Sequence, residues 1–69
     1  MKYPHLREWY CDRKHFWERV VHGVYMSIRL VDSQWYFIIR ENGERKQIKA
    51  KNSLHASRIA NKFIENIEP

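Results

Sequence analysis

Residues 24–50 have the sequence VYMSIRLVDSQWYFIIRENGERKQIKA, and this stretch decides the fold. Apolar and polar side chains alternate from Val24 to Leu30, and Trp35 to Arg40 is rich in aromatic and β-branched residues. Both patterns are typical of β-strands. Asn42-Gly43 is the strongest turn signal, because both central residues of a two-residue type I′ hairpin need positive φ. The stretch therefore predicts antiparallel strands joined by tight turns.

Two such turns, at Asp32-Ser33 and Asn42-Gly43, give a three-stranded meander with a fixed register. Because side chains alternate between faces along a strand, the register assigns every residue to one face. The predicted pairs are Glu41–Glu44, Arg40–Arg45, Ile38–Gln47 and Tyr36–Lys49 across the second turn, and Leu30–Trp35, Arg29–Tyr36 and Tyr25–Arg40 across the first.

The two faces of this predicted sheet differ in character. One face is apolar, apart from Lys46 and the glutamates beside the turn, and forms the core with Val24, Met26, Ile28, Leu30, Trp35, Phe37, Ile39, Ile48 and Ala50. The opposite face carries four cations and two tyrosines without an acid: Tyr25, Ser27, Arg29, Tyr36, Ile38, Arg40, Arg45, Gln47 and Lys49. We interpret this second face as a binding surface.

The flanking segments predict helices. Leu6, Trp9, Phe16, Val20 and their apolar neighbours recur at spacings of three and four, which is a helical stripe over residues 4–22, with Pro4 in the first turn and Gly23 at the end. A second stripe lies over residues 53–67, where Asn52 or Ser53 caps the helix. Its apolar positions are Ala56, Ile59, Ala60, Phe63, Ile64 and Ile67.

The predicted fold is a single α+β domain over residues 1–69, with a three-stranded antiparallel sheet and two helices on one sheet face (α-β-β-β-α). Chains of this size bury a marginal core, but three Trp, four Tyr and three Phe supply large side chains for it. Pairing into a homodimer would add buried surface, and so would a protein partner on the first helix.

Composition restricts the compartment and the partner. The single cysteine, Cys11, cannot form an internal disulfide, and small secreted domains usually carry several, so we expect an intracellular, cytoplasmic protein. Residues 1–5 do not resemble a signal peptide, and no apolar run is long enough to span a membrane. A net charge of +5 and a pI near 9.7 favour an anionic partner.

The predicted Arg/Tyr face has the chemistry of a nucleic-acid interface. Arg40 opposite Arg45 is unfavourable for folding, because like charges directly across a strand pair destabilise it. Arg and Lys neutralise phosphates and release counterions, while Arg, Gln and Ser can reach base edges. Tyrosine can stack on unpaired bases. The same residue types also dominate protein–protein hot spots, and a solvated face with clustered charge is the third interpretation.

A resemblance to a known family covers Tyr25 to Ile67. The strand Trp35–Arg40, the hairpin Glu41–Lys46 and the segment Ser53–Ala60 resemble the amino-terminal, arm-type DNA-binding domain of phage tyrosine recombinases. In that family a three-stranded sheet lies in the DNA major groove with a helix behind it. The resemblance implies that Arg29, Tyr36, Arg40, Arg45, Gln47 and Lys49 contact DNA. It also implies an accessory or regulatory protein of a phage or mobile element, since 69 residues cannot include the catalytic domain.

The element order also resembles a double-stranded-RNA-binding domain. That family carries a Lys-Lys-x-Ala-Lys run at the start of its last helix. The corresponding residues here, Leu54 to Arg58, lack most of that charge, so DNA is favoured over RNA.

Other chemistry is poorly supported by the sequence. Cys11 and His15 are four residues apart and would share a helix face, but two ligands are too few for a structural zinc site. A nucleophile needs a base and an orienting group, and beyond Cys11, Asp12 and His15 nothing supports one. We therefore expect no enzyme, no cofactor and no metal, and we expect Trp9 and Trp17 in the core.

The sequence thus predicts a nucleic-acid-binding module, with duplex DNA bound by the basic sheet face. The alternative is a small protein-interaction module or inhibitor that uses the same face or the first helix.

Overall fold

A computed structural model describes residues 4–67, so residues 1–3, where the stretch compared with a signal peptide begins, and residues 68–69 lie outside it. A short 3-10 helix, Pro4–Leu6, precedes five strands and an α-helix. The strands are β1 (Tyr10–Arg13), β2 (Phe16–Val21), β3 (Val24–Val31), β4 (Gln34–Glu41) and β5 (Glu44–Ala50), and the helix is α1 (Ser53–Ile67). All neighbouring strands are antiparallel, and their order in the sheet is β1-β2-β3-β4-β5.

The predicted turns and the register of the last three strands are confirmed. Asn42 and Gly43 have φ values of 53° and 81°, and Asp32 and Ser33 have 50° and 66°. Positive φ at both central residues gives the hairpin the twist that its strands need. Every pair predicted across the two turns is present, including Arg40 opposite Arg45.

The predicted N-terminal helix is wrong, and with it the three-stranded α-β-β-β-α fold. Residues 10–21 form β1 and β2, which extend the sheet to five strands. Apolar residues come in adjacent couples here, as in Phe16-Trp17 and Val20-Val21. In a strand, adjacent residues point to opposite faces, so each couple supplies one side chain to each face. Gly23 ends no helix, because it forms a two-residue turn with His22 at φ values of 77° and 52°.

The core lies on the inner face of the sheet, beneath α1 and the N-terminal segment. Leu6 and Trp9 join it from before the first strand, and Trp17 joins it from β2, which confirms the core positions predicted for both tryptophans. The Trp17 and Trp35 rings stack with their centroids 5.7 Å apart. The buried residues of this core are Leu6, Trp9, Trp17, Met26, Ile28, Phe37, Ile39, Ala50, Ala56, Ala60 and Ile64.

Helix α1 is confirmed in extent, cap and buried face. The backbone N–H of His55 donates to Asn52 Oδ1 at 2.8 Å, so Asn52 is the N-cap. All six apolar positions predicted for this helix belong to the core or pack against it. The His5 ring also bonds the Ser53 hydroxyl, with Nε2 and Oγ 2.9 Å apart, which ties the N-terminal segment to the start of the helix. Within residues 4–67, no helix has the length and apolar character required to cross a lipid bilayer.

Candidate nucleic-acid interface

The face of the sheet opposite α1 is here called the outer face, and the strand register arranges it in three rows. Each row runs across the strands, with one residue contributed by each strand that takes part. In order from β1 toward β5, the rows are Val20–Tyr25–Arg40–Arg45, Tyr10–Glu18–Ser27–Ile38–Gln47 and Arg13–Phe16–Arg29–Tyr36–Lys49.

The half of the outer face on β4 and β5 contains the predicted residues that are most accessible. Arg40, Arg45, Gln47 and Lys49 are exposed, and Tyr36 is half-buried beside Lys49. These five side chains occupy adjacent register positions, so the predicted cluster is assembled by β4 and β5. Three positive charges meet there with no acid among the outward-facing residues of the two strands.

The middle of the outer face is covered by its own neighbours. Ser27 and Ile38 face each other on β3 and β4 with only 0% and 4% of their surface exposed. Ser27 Oγ has no hydrogen-bond partner among the described residues. Ser27 therefore lies on the predicted face but cannot reach a ligand unless the surrounding side chains move.

An acid, Glu18, lies on the outer face, which corrects the expectation of a face without one. The prediction missed it because β2 had been interpreted as part of a helix. The Tyr25 hydroxyl donates to a carboxylate oxygen of Glu18. Burial of the hydroxyl raises the pKa of Tyr25, and the hydrogen bond to Glu18 and its negative charge raise it further, while Arg29 acts in the opposite direction.

Two arginines lie against the ring of Phe16. The guanidinium carbon of Arg29 is 4.4 Å from the ring centroid, and that of Arg13 is 5.0 Å from it. Both distances are within the range of a cation–π interaction. Arg29 belongs to the predicted set, whereas Arg13 and Phe16 were assigned to the helix and were missed. The signal that could have found them is the aromatic and β-branched content of residues 16–21, which favours a strand.

Strands β1 and β2 add residues to the outer face that the prediction did not include. Tyr10 and Val20, on β1 and β2, have 68% and 65% of their surface exposed. They add an aromatic and an apolar side chain to the face beside Glu18. The outer face therefore has a basic half on β4 and β5 and a mixed half on β1 and β2.

The cysteine and histidine considered as metal ligands do not share a helix face. Cys11 is exposed on β1, and its thiol donates to the Arg13 carbonyl oxygen at 3.3 Å. His15 lies in the turn before β2, where its ring centroid is 6.3 Å from that of Trp17 and 6.4 Å from that of Trp35. Across the part of the chain that the structure describes, no three His, Cys, Asp or Glu residues are grouped so that they could hold a metal ion.

Comparison with known protein families, with curated protein sequences and with solved structures finds no match for this chain.

Proposed function

We propose that this protein is a non-catalytic, intracellular DNA-binding module that contacts duplex DNA with the outer face of its sheet. The observation that carries the proposal is Arg40 directly opposite Arg45, with Lys49 on the same face and no acid at the outward-facing positions of β4 and β5. Like charges in this position weaken a strand pair by roughly 0.2–1 kcal/mol. Binding to a polyanion would explain why two arginines lie opposite each other despite this cost.

The side chains of the basic half suit a phosphate backbone. Each Lys or Arg that neutralises a phosphate releases condensed counterions, which makes binding favourable and dependent on salt. The planar donors of Arg40 and Arg45 can also form bidentate hydrogen bonds with phosphate or guanine. Gln47, exposed between Arg45 and Lys49, adds an amide that can pair with adenine.

The resemblance to the arm-type domain of phage recombinases supports the same partner. It covers residues 25–67, and β3, β4, β5 and α1 follow one another in the order that it implies. A role in a phage or mobile element depends on this resemblance alone. The intracellular location depends on the single cysteine, which is exposed and unpaired.

The test is a titration of the protein with duplex DNA at several salt concentrations, using Arg40→Ala and Arg45→Ala. Losing one phosphate contact reduces the slope of log K against log salt by about one. Arg58→Ala is the matched control, because Arg58 is exposed on α1, away from the outer face. The proposal fails if the sheet variants bind like the parent while the Arg58 variant loses binding, or if the parent shows no salt-dependent binding. Preference for duplex RNA over DNA would correct the partner.

A protein-interaction module is the second candidate, and the mixed half of the outer face favours it. Tyr10 and Val20 expose aromatic and apolar surface there, and tyrosine is enriched in binding hot spots. The first helix that was predicted as a partner surface is not formed, because β1 and β2 occupy that segment. If the parent binds no nucleic acid, binding of an acidic protein to this face becomes the preferred function.

A further inference from the structure

One row of the outer face alternates cations and aromatic rings across all five strands. From β1 to β5 it consists of Arg13, Phe16, Arg29, Tyr36 and Lys49. Neighbouring strands are about 4.8 Å apart, so successive cationic positions along the row are roughly 9–10 Å apart. The whole row spans about 19 Å, which corresponds to some five or six base pairs at ~3.4 Å each.

Phe16 holds the first part of this row in place. Arg13 on β1 and Arg29 on β3 contact its ring at 5.0 and 4.4 Å, so each strand that flanks β2 contributes one guanidinium. Stacking on a ring uses the flat face of a guanidinium and not the N–H groups at its edge, so a stacked arginine can still bind a phosphate. Arg13 is exposed and Arg29 is half-buried, with its Nε buried. Because the ring contact also restricts the arginine, less rotamer entropy is lost when an anion binds.

The same geometry argues against base stacking on this row. Proteins that bind single strands offer ring faces on which bases stack. Two guanidinium groups lie against the ring of Phe16, and Tyr36 stands between Arg29 and Lys49 in the register. The row consequently offers positive charge at regular intervals and not a stacking platform.

We propose that Arg13, Phe16 and Arg29 form a second phosphate-binding element, which extends the DNA interface across β1, β2 and β3. The ligand class is a duplex contacted through its phosphates, with little dependence on base sequence along this row. The inference rests on the proposed function, since it adds contacts to the same face. It assigns binding roles to Arg13 and Phe16, which lie outside the basic half on β4 and β5.

The experiment measures binding to a fluorescently labelled duplex and to one of its single strands, at several salt concentrations. Arg13→Ala should reduce the salt slope for the duplex by about one. Phe16→Leu keeps an apolar side chain but removes the ring that restricts the arginines. Ordering one such side chain on binding costs about 0.5–1.5 kcal/mol, which corresponds to roughly two- to twelvefold weaker binding. The parent should prefer the duplex, and the loss of affinity in Arg13→Ala should be similar on a duplex of scrambled sequence.

Arg58→Ala on α1 is again the matched control for removing one exposed arginine. Thermal unfolding of each variant checks that the sheet is intact, and Arg13→Ala tests the inference even if Phe16→Leu fails to fold. If Arg13→Ala binds like the parent while Arg40→Ala loses affinity, this inference is wrong and the proposed function stands. Preference for the single strand, with binding lost in Phe16→Leu, overturns it in favour of stacking. If the parent binds neither the duplex nor the single strand, this inference and the proposed function are both wrong.

Discussion

Glu18 places a negative charge on the outer face, and Tyr25 is its hydrogen-bond partner. The carboxylate accepts a hydrogen bond from the tyrosine hydroxyl, and Arg29 lies close enough to affect the same group. A negative charge beside a hydroxyl disfavours its ionisation, and so does burial. The pair therefore moves the ionisation of Tyr25 to higher pH and places one acid beside the cations of the outer face.

The raised pKa of Tyr25 predicts how stability depends on pH. A hydroxyl whose pKa is higher in the folded than in the unfolded chain keeps its proton longer when folded. Its contribution to stability is therefore complete below the unfolded pKa and is lost as pH rises through the folded pKa. Because Glu18→Gln removes the negative charge, it should move the titration of Tyr25 to lower pH, as measured by phenolate absorbance. Tyr25→Phe identifies the transition, and an unchanged titration in Glu18→Gln would show that Glu18 has no influence on it.

At the level of elements, the three strands β3, β4 and β5 were predictable because local signals agreed with one another. Asn42-Gly43 and Asp32-Ser33 tolerate positive φ, and the alternation of side chains on either side fixes one register. Helix α1 was predictable for the same reason, since Asn52 caps it and its apolar stripe has a single helical period. The charged face on β4 and β5 followed directly from this register.

The strands β1 and β2 were not predictable from periodicity, because the apolar residues of this segment fit both a helical and a strand pattern. Spacings of three and four fit a helix, but the same residues also supply both faces of a strand. The turn between these strands contains Lys14 and His15, and neither is a typical turn residue, although His15 has a φ of 60°. Burial of Trp17 against Trp35 decides the outcome through contacts that are distant in sequence. Consequently Arg13, Phe16 and Glu18 were missing from the predicted face.

The hairpin between β4 and β5 depends on the backbone freedom of Gly43, whose φ is 81°. A Cβ atom added there would contact nothing within 4 Å, so any cost of Gly43→Ala comes from the backbone conformation alone. Left-handed backbone costs an ordinary residue roughly 1–2 kcal/mol, and we expect Gly43→Ala to destabilise the fold by that amount in urea unfolding. Gly43→Asn is the control and should cost less, because asparagine tolerates this conformation. Equal stability of the parent and Gly43→Ala would contradict the assigned turn.

At the scale of the whole molecule, one face of the sheet packs in the core and the other carries the charged surface. The inner face packs against α1 and the N-terminal segment and contributes the strand residues of the core. The outer face has no element packed over it among residues 4–67, and it carries the cations that the register aligns. The core therefore stabilises a surface whose own charges repel, and stability and binding are expected to oppose each other at Arg40 and Arg45.

This opposition can be measured in one pair of melting experiments. Arg40→Gln removes the like charge opposite Arg45 but keeps a side chain of similar length, so without DNA it should be more stable than the parent by roughly 0.2–1 kcal/mol. Duplex DNA at a hundred times its Kd should stabilise the parent by about 2.7 kcal/mol. For a domain of this size, that raises Tm by on the order of 10–20 °C. At the same DNA concentration, Arg40→Gln should gain less, because it binds more weakly.

Arg58→Gln on α1 controls for the loss of one positive charge from the whole molecule, and both its stability and its gain from DNA should stay close to the parent's. If Arg40→Gln is less stable than the parent without DNA, the arginine pair is not repulsive in the folded protein. The argument that the pair is kept for an anionic partner would then fail, even if the protein binds DNA. If Arg40→Gln is more stable alone and gains less from DNA, the cost to the fold and the benefit to binding come from the same two side chains.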